Sequence, residues 1–410
     1  MNTAGKISRK RKVALVIMVA TLSWLFSVYK EQGSAGLTEG GRQNFLAAVA
    51  NNSSSQNSLS LITEPDDGMG RIQDAVGKAA RSLDLVIYEL EDPEIEQALV
   101  AAKDRGVSVR VILQNVDNFG KYPNAEAYKF LQNNGVAVQW APDYFALTHE
   151  KTLIVDGVSA IIMTFNFNPK YYAGSRDFAV VDTNPTDVAA ISVTFDADWN
   201  GRGILAPAGN DLLWSPGSAD ILLSIINSAT SSLDIYNEEM ADLRIMDALE
   251  SAAKRGVNVR VEMTYATNWK PALDELVSNG VTAHTFSASA NLYIHAKVIV
   301  SDAALAFVGS ENFSEPSLDK NRELGIVLSK PDIISTIENA FNKDWAGSRP
   351  FALERATTTP DVERSIVKLS TSKICHAPGD SSYDRTKKFT PYDTVQDCLD
   401  AGGRLPLGTK

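Results

Sequence analysis

Two stretches of the chain carry the same chemically able side chains at the same spacing. Residues 148–166 read T-H-E-K-T-L-I-V-D-G-V-S-A-I-I-M-T-F-N, and residues 294–312 read I-H-A-K-V-I-V-S-D-A-A-L-A-F-V-G-S-E-N. Counted from the histidine, each has lysine third, aspartate eighth, a small hydroxyl residue sixteenth and asparagine eighteenth. The members are His149, Lys151, Asp156, Thr164 and Asn166 in the first copy, and His295, Lys297, Asp302, Ser310 and Asn312 in the second. In both copies an Arg-acid pair follows, with Asp177 and Glu323 each 28 residues beyond the histidine, a candidate carboxylate orienter for each imidazole. Two imidazoles, two ammonium groups and two carboxamides, with no acidic metal cage among them, suit a tetrahedral oxyanion such as a phosphodiester. Lys151 and Lys297 would supply charge. Asn166, Asn312, Ser310 and Thr164 would supply directed hydrogen bonds to the oxygens as charge develops. One neutral imidazole would attack phosphorus while the other, protonated, hands its proton to the leaving alcohol. Such a site calls for no metal or cofactor. Asp156 and Asp302 have two readings, as site members or as strand-end residues bonded to backbone or lysine.

The H-x-K-x4-D pattern followed by a G-S-x-N-like turn resembles the signature of the phospholipase D superfamily. The resemblance covers roughly residues 65–350 and is closest over A-F-V-G-S-E-N-F-S and the N-R-E-L-G after it. The first copy departs from it, with Met163 and Thr164 where Gly and Ser are expected, although Thr164 keeps the hydroxyl. The resemblance implies two tandem α/β/α sandwich repeats related by a pseudo-twofold axis, with the active site at their interface. It also implies a covalent phosphohistidine intermediate, with His149 as nucleophile and His295 as acid. Substrates in the family include phospholipids and nucleic acids, and an inactive, phosphate-binding descendant is the non-enzyme alternative.

The elements that must position these residues are themselves repeated. Ser82-Leu83-Asp84-Leu85 matches Ser232-Leu233-Asp234-Ile235, and Arg105-Gly106-Val107 matches Arg255-Gly256-Val257. In each copy a helix (72–82; 221–231) precedes a short apolar strand, a second helix ending at the Arg-Gly, a strand (109–113; 259–263), another helix and the motif strands. Strands alternating with helices give an α/β class with helices on the sheet faces. The Arg-Gly pairs read as helix stops with glycine left-handed. Phe195 with Trp199 and Phe341 with Trp345, four apart on a closing helix, read as core anchors. His284, outside the motifs, reads as an ordinary structural histidine.

Residues 1–30 combine Lys6, Arg9, Lys10, Arg11 and Lys12 with an uncharged, mostly apolar run over 13–29, the pattern of a signal peptide or signal anchor. As a helix the run would span roughly 25 Å, slightly short for a bilayer. The expected organisation is therefore an exported chain, periplasmic or secreted, with a flexible linker over 31–60, the first repeat over 61–203 and the second over 204–350. A linker over 351–372 and a small module over 373–410 follow. The chain's two cysteines, Cys375 and Cys398, both fall in that module, and a single disulfide between them would stabilise it by roughly 3 kcal/mol. Zinc at Cys375-His376 is the alternative, short of a full tetrahedral set.

Net charge bears on the substrate. The chain carries −11, and loss of residues 1–30, with six basic and no acidic side chains, would leave −17. Nucleic-acid binding rests on phosphate neutralisation by a basic surface, and no Lys/Arg stripe occurs beyond the leader. A phospholipid or smaller diester at a membrane surface therefore leads, with hydrolysis and transphosphatidylation both open and DNA or RNA cleavage the alternative. Tyr144, Phe145, Tyr171, Tyr172 and Tyr293 lie beside the motifs and could wall a head-group site or simply fill the core. A monomer with an internal pseudo-dimer completes the expectation.

Overall fold

The computed structural model describes residues 39–51, 56–353, 366–378, 380, 382–392 and 394–406. The leader expected over 1–30 lies outside the described residues, and among those described no helix is long and apolar enough to cross a membrane. Contacts divide the chain into a unit ending at Leu353, which holds both repeats, and a second from Glu354 onward.

In the first repeat the strands are β1 (Leu59–Glu64), β2 (Ser82–Ile87), β3 (Ser108–Leu113), β4 (Ala137–Trp140), β5 (Thr152–Val155), β6 (Ser159–Met163) and β7 (Ser175–Asp182). Their order across the sheet is β1-β7-β6-β5-β2-β3-β4. Strands β2, β3 and β4 run parallel, joined by helices, while β5, β6, β7 and β1 are antiparallel. The second repeat contributes β8 (Leu212–Ser215), β9 (Ser232–Tyr236), β10 (Asn258–Thr264), β11 (Thr282–Phe286), β12 (Tyr293–Ile294), β13 (Lys297–Ser301), β14 (Leu305–Gly309), β15 (Glu323–Leu328) and β16 (Arg349–Pro350). Its order, β16-β11-β10-β9-β13-β14-β15-β8, repeats the plan, while β12 leaves its own sheet and pairs with β7 of the first. The class is mixed α/β with two eight-stranded sheets.

Local signals explain the helices that join the parallel strands. Asp92 caps Pro93–Asp104 by accepting from the amides of Glu94 and Ile95, and Asp242 does the same for Leu243–Lys254 through Arg244 and Ile245. Both helices stop where Gly106 and Gly256 take φ of 92° and 93°, a conformation costly for a residue with Cβ.

Alternation along the strands sorts apolar residues between three cores. Leu83, Leu85 and Ile87 of β2 face an outer core of the first repeat, and Ile299 of β13 faces the outer core of the second. Val86, Ile154, Phe178, Val298, Val300 and Ile326 face a central core fed by both sheets, together with Phe195 and Phe341 from the closing helices Pro185–Trp199 and Pro331–Gly347. Each such side chain contributes about 1.5–3 kcal/mol on burial, so neither repeat is complete without the other. The anchors also take a guanidinium: Arg110 forks onto Asp84 and lies over Phe195 and Trp199, as Arg260 forks onto Asp234 and lies over Phe341 and Trp345. His284 stacks on Trp345 at 3.7 Å, the structural place expected of it.

Two expected linkers are corrected. Within 31–60, Glu39–Asn51 is helical and buries Leu46 and Val49 in the second repeat's outer core, and β1 begins at Leu59. The apolar run Phe45 to Val49 outweighs the polar tract after it. Within 351–372, Val367–Ser370 forms a strand of the C-terminal unit. That unit is a three-stranded sheet with the helix Val395–Asp400, a core of Val367 and Leu369, and a Cys375–Cys398 disulfide. The disulfide takes both thiols from the zinc alternative, and His376 bonds Asp380 at 2.6 Å.

Two buried ion pairs clamp the repeats together. Arg176 of the first repeat bonds Asp344 of the second repeat's closing helix, and Arg322 of the second bonds Asp198 of the first. Removing one partner from such a pair strands a buried charge. Arg322→Ala should therefore cost about 3–5 kcal/mol of stability, and the Arg322→Ala/Asp198→Ala double variant should lose less than the sum of the singles. Chemical denaturation of all four proteins measures this, and strict additivity would count against the clamp.

Candidate active site

Each histidine is delivered into the opposite repeat. The backbone before His149 pairs with 320–322: Arg322 N donates to Leu147 O at 2.8 Å, and His149 N and Glu150 N both donate to Arg322 O at 2.9 Å. The matching segment before His295, strand β12, pairs with Ser175 and Arg176 of β7, and Ala296 N donates to Arg176 O at 2.9 Å. The residue after each of those arginines is the acid. His149 Nδ1 consequently meets Glu323 at 2.8 Å, and His295 Nδ1 meets Asp177 at 2.9 Å. The acid 28 residues downstream of each histidine thus serves the other one.

Both acids are fixed from behind. Asp177 accepts from Thr164 Oγ1 at 2.6 Å and Ser175 Oγ at 2.8 Å, and Glu323 from Ser317 Oγ at 2.7 Å and Asn321 Nδ2 at 3.1 Å. Burial alone would raise both carboxyls, but the paired imidazoles and nearby lysines outweigh it and hold both below the ordinary range. A carboxylate at Nδ1 fixes the tautomer and leaves Nε2 for chemistry.

The lysines lie beneath the histidines and are buried. Lys151 donates to His149 O at 2.6 Å, and Lys297 donates to His295 O and, at 3.0 Å, to Glu238. Burial, opposed by Glu323, pulls Lys151 down to about 7. Burial likewise holds His149 below its ordinary pKa, with Glu323 opposing and Lys151 adding to the depression. The surroundings of the two imidazoles differ. His149 meets the edge of Tyr88 at 4.7 Å, whereas His295 has a second carboxylate, Glu238, 3.4 Å from Nε2.

The two histidines border a cavity of about 380 Å³ lined also by Asn166 and Asn312, by Glu64, Glu89, Glu238 and Glu239, and by the aromatics Tyr88, Phe119, Tyr171, Tyr172 and Tyr293. No lysine or arginine is among its lining residues. Burial, helped by Asp177 opposite it on β7, pushes Glu64 up to about 7, and burial also raises Glu89 and Glu239.

The structure thus brings His149, Lys151, Asn166, Asp177, His295, Lys297, Asn312 and Glu323 together. It removes four candidates. Thr164 is fully buried, donating to Asp177 and accepting from Phe178 N, and Ser310 accepts from Leu324 N, so one hydroxyl braces the acid behind His295, the other braces β15, and neither lines the cavity. Asp156 and Asp302 stand beyond the far ends of β5 and β13. Their carboxylates accept from the amides of residues 80–82 and 230–232, holding the turn before β2 and β9. Tyr144 and Phe145 flank the Arg322–Asp198 clamp instead of the cavity. The sequence reading missed Tyr88 and Glu238, which the repeat offset of 150 places at matching positions just past β2 and β9.

Residues 72–199 and 222–345 each match the family model described as "Cardiolipin synthase, PLD-like domain". The chain belongs to this family. Among curated phospholipase D-like proteins it is 24% identical over 364 residues to the major cardiolipin synthase ClsA of Bacillus subtilis, covering 76% of this chain and 74% of that one. The fold is shared with a phosphatidylserine synthase of Haemophilus influenzae Rd KW20 at TM-score 0.58 and 10% identity, over 76% and 92% of the two chains. It is also shared with a polyphosphate kinase of Porphyromonas gingivalis at TM-score 0.56 and 15% identity, over 71% and 47%.

Removing the Asp302 carboxylate should cost stability and leave the chemistry of the folded protein intact. Asp302→Ala should lower unfolding free energy by about 1–2 kcal/mol at neutral pH. The amides it accepts from hold its folded pKa below the unfolded value of about 3.9. Its contribution is therefore complete above that value and lost as pH falls toward the folded pKa. Stability measured from pH 7 to pH 2 should converge for the variant and wild type at the acid end. A loss of turnover per folded molecule at pH 7 would return Asp302 to the site.

Proposed function

We propose that the protein transfers the phosphatidyl group of a phospholipid to an alcohol or water through a phosphohistidine. The observation that carries this reading is the pair of imidazoles fixed at Nδ1 by carboxylates exchanged between the repeats, both bordering one cavity with buried lysines beneath. Support for a phospholipid comes from the cardiolipin synthase family match and relatives, and from the cavity, whose carboxylates and lack of lining cations oppose a nucleic-acid backbone. The nuclease alternative has no such support.

His149, kept neutral by burial, attacks phosphorus through Nε2. His295, between Asp177 and Glu238, gives its Nε2 proton to the departing alcohol. The lysines and Asn166 and Asn312 stabilise charge on the non-bridging oxygens. In the second half His295 takes a proton from the incoming alcohol or water, which displaces His149 from phosphorus.

Two experiments test the proposal. The purified protein would be offered vesicles of labelled phosphatidylglycerol or phosphatidylcholine, and single- and double-stranded DNA, with a short primary alcohol in the buffer. Formation of the phosphatidyl-alcohol, undiminished by excess chelator, is expected; cleavage of DNA alone would sink the lipid reading. The second uses a nitrophenyl diester, whose leaving group needs no acid. Asp177→Asn should disable His295 and stall as an adduct on the peptide bearing His149, whereas Glu323→Gln should block adduct formation by about 10²-fold or more. The opposite pattern in mass spectra would reverse the roles of the two histidines.

A further inference from the structure

We infer that Glu238 sets the charge that the phosphate site accepts, admitting a singly charged diester and turning away a doubly charged monoester or free phosphate. The inference rests on the reading of the histidine pair as a phosphate centre, but not on the substrate being a lipid.

Glu238 lies where a phosphoryl oxygen would be held. One carboxylate oxygen is 3.0 Å from Lys297 Nζ and 3.4 Å from His295 Nε2, two of the groups the reaction needs. The other accepts from Tyr293 Oη at 2.8 Å, and Tyr293 is itself strand-paired to Ser175 of the first repeat. The carboxylate is thus braced from two sides. An ammonium group has three donors. His295 O and Glu238 take two of those on Lys297, so a substrate oxygen must use the third or share the ammonium with a fixed negative charge.

In the first repeat the matching residue is Tyr88, whose uncharged ring lies 5.3 Å from Lys151 Nζ. The extra charge therefore sits in one half of the site. Around Glu238 stand Lys297, His295 and Tyr293, with Glu239 next in the chain, and its charge also reaches the Lys151 ammonium and the Tyr88 phenol. Burial opposes its ionisation, but Lys297 and His295 outweigh burial and keep it a carboxylate at working pH.

A charge count shows the effect. The centre offers at most three positive groups, Lys151, Lys297 and protonated His295, against Asp177, Glu323 and Glu238, with Glu89 and Glu239 on the cavity wall besides. A diester adds one negative charge to a centre with no positive charge to spare, whereas a monoester adds two, and no lysine or arginine lines the cavity to meet the second. Repulsion between like charges at this range is strong in a partly desolvated site. A phosphomonoester formed by transfer to water would be expelled by the same carboxylate.

The test is calorimetric titration of wild type and Glu238→Gln, which keeps the shape and removes the charge, with dimethyl phosphate and inorganic phosphate. At pH 8 the variant should gain about tenfold or more in affinity for inorganic phosphate and a clearly smaller factor for dimethyl phosphate. At pH 6, where inorganic phosphate is mainly a monoanion, the difference between the two ligands should shrink. Dimethyl phosphate, a monoanion at both pH values, reads out what Lys151 and Glu64, both with a pKa of about 7, contribute over the same range. Tyr293→Phe, which releases the brace, should move the pH 8 ratio in the same direction by less. Equal gains for both ligands, or no gain for either, would overturn the inference while leaving the phosphate centre standing. Failure of both proteins to bind dimethyl phosphate or turn over a nitrophenyl diester would overturn the phosphate centre and this inference together.

Discussion

The hydrogen bond from each histidine Nδ1 to a carboxylate of the opposite repeat is the constraint on which the molecule depends. It requires the backbone ahead of each histidine to cross over and pair with the other repeat's arginine, since that pairing sets the following acid against the imidazole. The crossing buries both arginines, which then need the closing-helix partners Asp344 and Asp198. The central core has the same origin, because sheets joined in this way must present apolar inner faces to each other. Catalytic geometry and interface stability therefore rest on one set of contacts.

Within that near-symmetric frame the copies diverge where electrostatics matter. The His149 environment is buried and meets the edge of a phenol ring, and burial favours the neutral imidazole. The His295 environment contains two carboxylates, Asp177 at 2.9 Å from Nδ1 and Glu238 at 3.4 Å from Nε2. Two residues of equal chemistry thereby receive unequal surroundings.

Much of this was legible in the sequence because repetition separates signal from accident. Five matched positions at one spacing marked the histidines, lysines and asparagines, and the paired strands over 109–113 and 259–263 and the aromatic helix positions recurred as the Arg110 and Arg260 clusters. The exchange of acids was not legible: a spacing of 28 residues is the same whether the acid folds onto its own histidine or its twin's, and only the strand crossing decides. Asp156 and Asp302 kept two readings open for a related reason. A turn that must grip three successive amides fixes spacing as firmly as a catalytic role does, and both aspartates sit at positive φ, 55° and 53°. Glu39–Asn51 was hidden by the Asn/Ser tract beside it, whereas Tyr88 and Glu238 were within reach of anyone aligning the two copies past the end of β2 and β9.

Carrying both repeats on one polypeptide has a genetic consequence. In a two-fold homodimer a single codon writes both halves of a shared site, so any change on one side is copied to the other. A tyrosine facing one lysine and a glutamate facing its twin could then never coexist. Here positions 88 and 238 are separate codons, free to drift apart while the crossing strands keep the halves in register. The linked duplication thus turns a symmetric scaffold into one whose two half-sites can be selected independently.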